Sequence, residues 1–113
     1  MTMHELESLQ LEENKKLCNT LLDAGDNSEV TRMIVHKLEF ISEYKRSDLL
    51  EELEEEGFEI RENFVTEEGY NGLMFQRENR TTLSKITEVT QHLLVLLDEH
   101  DARYGGWTTA IVS

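Results

Sequence analysis

Phe58 to Gln76, FEIRENFVTEEGYNGLMFQ, lies near the middle of the chain, and its reading decides how the rest assembles. Phe58, Ile60 and Phe64 share one parity and Glu59, Arg61 and Asn63 the other, the alternation of a half-buried strand running from Phe58 to Val65. Thr66-Glu67-Glu68-Gly69 has the composition of a turn, and Gly72 to Gln76 is the returning strand, so the segment predicts a β-hairpin.

Outward from the hairpin, each side carries a helix and then another strand. On the N-terminal side, Ser47 is placed to cap a short helix through Glu56, with Leu49, Leu50 and Leu53 on its inner side and Gly57 as its stop. Before it, Glu29 to Ile41 reads as a strand. Val30, Ile34, Leu38 and Phe40 have one parity and Met33, Val35 and Ile41 the other, so it is apolar on both faces and expected at the centre of its sheet. On the C-terminal side, Thr81 or Thr82 opens the longest amphipathic helix, with Leu83, Ile86, Val89, Leu93, Leu96 and Leu97 at helical spacing up to about His100. Tyr104 to Val112 is the last strand, where Gly105-Gly106 predicts a bulge or a close backbone approach.

Two strand–helix–strand units joined by a hairpin predict an α+β fold, the ferredoxin-like split βαβ sandwich: order βαββαβ, a four-stranded antiparallel sheet, both helices on one face. An additional N-terminal helix from Met3 to Ala24 precedes it. Thr2 and Glu5 have capping-box spacing, and Leu6, Leu9, Leu17, Leu21 and Leu22 recur at helical intervals. Glu12-Glu13-Asn14-Lys15-Lys16 is polar all round, so only the second half, around Leu17, Cys18, Leu21 and Leu22, is expected to dock. Gly25 is the expected C-cap, and Gly25 to Ser28 a soft joint. The chain of 113 residues thus reads as one domain over 1–113, an N-terminal helix over 1–25 and a ferredoxin-like core over 29–113. The second sheet face is left for the N-terminal helix or for a homodimer partner to cover.

Composition narrows the function. One cysteine excludes a disulfide framework and a Cys-rich zinc site. The longest apolar run, Leu93 to Leu97, is far short of the ~20 residues of a membrane span. The first residues lack the basic and apolar regions of a secretory signal, so a soluble, cytoplasmic protein without membrane contact is expected. Lys and Arg number 11 against 24 Asp and Glu, a net charge of -13, which argues against direct nucleic-acid binding.

The acid is concentrated. From Ser47 to Glu68 stand Asp48, Glu51, Glu52, Glu54, Glu55, Glu56, Glu59, Glu62, Glu67 and Glu68, with Arg61 as the one base. A solvated face that keeps the chain soluble is one reading. The other is an electrostatic docking surface for a basic protein, with Asp48, Glu51, Glu52, Glu54, Glu55, Glu59, Glu62, Glu67 and Glu68 as its candidate contacts. Basic partners of small acidic proteins are often enzymes that handle nucleic acid.

No residue pattern supports catalysis, and neither a cofactor nor a metal is expected. His4, His36, His92 and His100 are dispersed, although Glu88 and His92 share a helical face; His36 is expected as a partly buried imidazole with a local partner. Cys18 reads as a small core residue. Glu67 and Glu68 read as solvated turn carboxylates, and no nucleophile elbow, phosphate loop or zinc-protease motif occurs. Trp107 is either a packing residue over a bulged strand or a recognition anchor at an interface.

Four pieces then occur in one order: Asp23-Ala24-Gly25-Asp26-Asn27, Val35-His36-Lys37-Leu38-Glu39-Phe40, Glu55-Glu56-Gly57-Phe58-Glu59-Ile60 and Tyr104-Gly105-Gly106-Trp107-Thr108-Thr109. From about Leu21 to Ile111 they resemble the bacterial regulator of ribonuclease E activity, type B, and its wider domain family. Gly105 and Thr108 stand where the commoner pattern has Asp and Gly. The resemblance implies a ferredoxin-like fold with an added N-terminal helix. It also implies a non-catalytic regulator that binds ribonuclease E, or a related basic nuclease, and lowers RNA cleavage. Two other readings stand beside it: a self-associating structural or sensory module, and an acidic immunity-type inhibitor of another basic nuclease.

Overall fold

A computed structural model describes residues 1–113. The elements are α1 (Met3–Asp23), β1 (Arg32–Phe40), a 3-10 turn at Glu43–Lys45, α2 (Arg46–Glu55), β2 (Glu59–Val65), β3 (Asn71–Asn79), α3 (Leu83–Glu99) and β4 (Ala102–Thr109). The sheet order is β2-β3-β1-β4, and each neighbouring pair is antiparallel. This is the expected α+β arrangement, a split βαβ sheet behind an N-terminal helix. No helix is long and apolar enough to cross a membrane.

The helix ends follow local chemistry. Thr2 caps α1 by accepting from the Glu5 N–H, and Thr82 caps α3 by accepting from the Lys85 N–H. α1 and α2 end in the same motif. Asp26 N–H reaches Leu21 O and Gly25 N–H reaches Leu22 O; Phe58 N–H reaches Leu53 O and Gly57 N–H reaches Glu54 O. Gly25 and Gly57 sit at φ 93° and 89°, which a side chain would resist. At the start of α2 the cap differs from expectation. Ser42, not Ser47, is the capping serine: it accepts from Tyr44 N–H and opens the 3-10 turn that leads into α2.

One face of the sheet carries the core. Leu38, Phe40, Leu73 and Phe75 meet Leu49 and Leu53 of α2 and Val89, Leu93, Leu96 and Leu97 of α3, with Phe58 and Ala102 at the margins. Each such side chain, fully buried, contributes about 1.5–3 kcal/mol of transfer free energy. A second cluster joins Cys18 of α1, Ile34, Ile86 and Trp107, flanked by Leu17 and Leu21. α1 thus packs against α3 on the helical side, and the far sheet face stays open. β1 is central as expected, but its odd-parity residues face outward: Met33 is 39% exposed.

Two bulges shape the strands. In β4 the register shifts at Gly105, the bulge expected there. In β2 it shifts between Ile60 and Glu62, so Arg61 is the extra residue. The shift turns Phe64 over, so it does not share the side of Phe58 and Ile60. Phe64 pairs with Gly72 and lies over it, its ring 2.3 Å from where a Cβ on Gly72 would stand.

The joint after α1 is also unlike its expectation, being tied and not soft. Asp26 is buried and accepts from Arg32 Nη1 at 2.8 Å, from the Val112 N–H at 2.7 Å and from the Thr81 hydroxyl at 3.2 Å. Burial raises the Asp26 pKa, but the Arg32 and Val112 hydrogen bonds, the Arg32 charge and the Thr81 hydroxyl outweigh it and hold the carboxyl below its ordinary value.

Candidate functional site

α2 has little intrinsic reason to be stable. Leu49 and Leu53 anchor it to the core. Asp48 suits the positive end of the helix dipole, but Glu51, Glu52, Glu54 and Glu55 crowd its negative end, where no base is present. Asp48–Glu52 and Glu51–Glu55 are like-charge i,i+4 pairs, which destabilise a helix by about 0.2–0.5 kcal/mol each. Asp48, Glu51, Glu52 and Glu55 share one face and, with His100, line a hollow of about 290 Å3. Glu54 turns the other way and lines a second hollow of about 470 Å3 with Gly57, Phe58, Glu59 and Ile60.

β2 continues the acid along a sheet edge. Its bulge sets both Glu59 and Glu62 opposite open-face residues, Gln76 and Met74, and Gln76 Nε2 donates to Glu59 at 3.1 Å. Glu67 and Glu68 are exposed in the hairpin turn. The nine acidic candidates therefore wrap around the β2 edge from the helical layer to the open sheet face and form no single plane. Eight ion pairs of Lys or Arg occur in the molecule, beside two histidine–carboxylate contacts, His92–Glu56 and His100–Glu52. Of the nine, Glu52 alone takes part, opposite His100; Asp48, Glu51, Glu54, Glu55, Glu59, Glu62, Glu67 and Glu68 have no basic partner.

Trp107 is not placed as an anchor. It is 4% exposed, and its indole N–H donates to Asn14 Oδ1 at 2.9 Å. Packing inside the fold consumes the surface that a partner would need. The same contact corrects the reading of α1. Asn14, in the stretch that looked polar all round, is fully buried; it also donates to Thr90 Oγ1 at 2.9 Å and accepts from Gln10 at 3.0 Å. Leu22, expected to dock, is 51% exposed.

The histidines occupy separate environments. His36 is fully buried, with Nδ1 2.7 Å from the Tyr104 hydroxyl and the ring stacked on Phe75 at 5.3 Å. Burial, and after it the charge of Arg77, pulls its pKa down to about 3, and burial raises that of Tyr104 well above the usual phenol value. His92 pairs with Glu56 at 2.6 Å, while Glu88 pairs with Lys85. Cys18 is buried, its pKa raised by burial and by Asp26, with Sγ 3.4 Å from the Thr81 carbonyl. The groups whose pKa values are shifted most clearly towards the neutral form, His36 and Cys18, are buried, whereas the His92–Glu56 pair lies at the surface.

The protein-family model that matches the chain is described as regulator of ribonuclease activity B and covers residues 11–109. No curated protein matches.

Proposed function

The chain belongs to the regulator of ribonuclease activity B family, and we propose that it works without catalysis, by binding an endoribonuclease of the ribonuclease E type and lowering its RNA cleavage. The family is one of ribonuclease regulators. The observation that carries the finer reading is the set of unpaired acids on α2, the β2 edge and the hairpin turn. Eight of the eleven Lys and Arg pair elsewhere, with Glu12, Glu13, Asp26, Glu29, Glu39, Glu43, Glu88 and Asp101. A helix whose glutamates repel one another and oppose its dipole gains from a cation that arrives from outside. Ribonucleases bind a polyanion and must present basic surface to it. The acidic rim would occupy those segments, with Asp48, Glu51, Glu52, Glu54 and Glu55 on one flank and Glu59, Glu62, Glu67 and Glu68 on the other.

Replacing Glu51, Glu52, Glu54 and Glu55 together by Gln tests this. The variant is expected to bind ribonuclease E at least about tenfold more weakly, as loss of several rim charges would give, and to melt no lower than the native chain. Unchanged affinity would sink the acidic-rim reading.

The open sheet face favours a second reading, self-association, because Met33 is exposed and Val35, Phe64 and Met74 are partly so. A net charge of -13 opposes it through self-repulsion. A mass that stays monomeric in light scattering up to millimolar chain would exclude it.

A further inference from the structure

Arg61 is the one arginine that the fold does not use. The chain has six. Arg32, Arg46, Arg80 and Arg103 pair with carboxylates, and Arg77 donates to the Glu56 carbonyl and lies over the Phe58 ring. Arg61 is exposed, belongs to no ion pair and lies over no ring. Carboxylates are near it in the chain, yet it pairs with none. Glu59 and Glu62 stand opposite Gln76 and Met74 of the open face, and Glu59 accepts from the Gln76 amide at 3.1 Å. The ladder passes from Ile60 to Glu62, so Arg61 is an extra residue on an edge strand, without a partner on β3 and out of step with both glutamates.

Blocking the edge against another strand does not call for a base here, because charge of either sign serves and Glu59 and Glu62 already supply it. Attraction to a basic partner is reduced by it. What a lone base among acids supplies is position. A run of like charges can slide along a run of opposite ones at little cost, whereas one inverted charge opposes every alignment but its own. We infer that Arg61 sets the register of docking by pairing with a carboxylate that the partner protein carries among its bases. The inference rests on the reading that the acidic rim meets a basic protein, and it adds the one acid which that protein must present there.

The test compares the affinity of the full chain for ribonuclease E with that of Arg61→Glu, Arg61→Gln and the Glu51→Gln/Glu52→Gln/Glu54→Gln/Glu55→Gln variant. Arg61→Glu makes the rim more acidic, so attraction by charge alone would tighten binding. The register role instead requires Arg61→Glu to bind at least about tenfold more weakly, with Arg61→Gln between it and the native chain. Circular dichroism and melting temperature should not move, since the side chain is exposed and unpaired. When Asp and Glu residues of ribonuclease E are changed singly to Arg, one variant is expected to restore the affinity of Arg61→Glu and to weaken that of the native chain. Arg61→Glu binding as tightly as the native chain or more so, or no restoring variant in ribonuclease E, would overturn the register role. Tight binding by Arg61→Glu with weak binding by the α2 variant removes the register role and keeps the acidic rim. The reverse pattern removes the rim and keeps the contact at Arg61, and a native chain that does not bind ribonuclease E sinks both.

Discussion

At His36 an ionisable ring is held neutral inside the sheet–helix core, and that has a consequence for acid stability. Its folded pKa is about 3, against about 6.5 for a free imidazole. Between those values the unfolded chain takes up a proton that the folded chain does not. Stability is therefore complete above about pH 6.5 and falls as pH drops towards 3, by about 1.4 kcal/mol per pH unit from this group. Asp26 adds a later loss. Its depressed pKa contributes stability above the ordinary carboxylate range, and that stability disappears as pH falls through the lower folded value. Urea midpoints at pH 7.5, 5.5 and 4.5 check the first part. His36→Phe is expected to flatten the dependence between 5.5 and 4.5, and an undiminished slope would contradict the assignment.

At the scale of elements, hydrophobic period was legible and pairing was not. The type and order of the helices and strands were legible from spacing, most clearly in β1, α2, β3 and α3, which bury Leu, Ile, Val or Phe on a regular period. The Arg61 bulge could not be read that way: alternation at Phe58, Ile60 and Phe64 is the same in the sequence whether or not an extra residue interrupts the ladder, and only the partner strand shows it. Asn14 was hidden for a different reason. A buried amide looks like any surface amide until Trp107 and Thr90 arrive from elements 93 and 76 residues away. At the candidate site, the acidic cluster was legible as a count, but its wrapping around an edge and its lack of basic partners needed the fold. Asn14→Ala leaves the indole N–H and the Thr90 hydroxyl short of a partner, and is expected to cost about 2 kcal/mol, read as a lower urea midpoint at unchanged m-value.

For the whole molecule the charge is lopsided as well as large. Exposed acids on α2, β2 and the hairpin turn generate a field that attracts a basic partner before contact. Salt shortens its reach to about 10 Å at 0.1 M. Stopped-flow association with ribonuclease E is expected to slow at least about tenfold between 50 and 300 mM NaCl, with dissociation changing less. A salt-independent association rate would mean that the acids act only after contact.

The sequence contains a single tryptophan, and its indole N–H is spent on Asn14 of α1. Intrinsic fluorescence excited near 295 nm therefore comes from one place, the seam where the first helix meets the last strand. Peeling that helix away would wet the indole and move its emission to the red, so an ordinary fluorimeter reports the detachment of a single helix without any label.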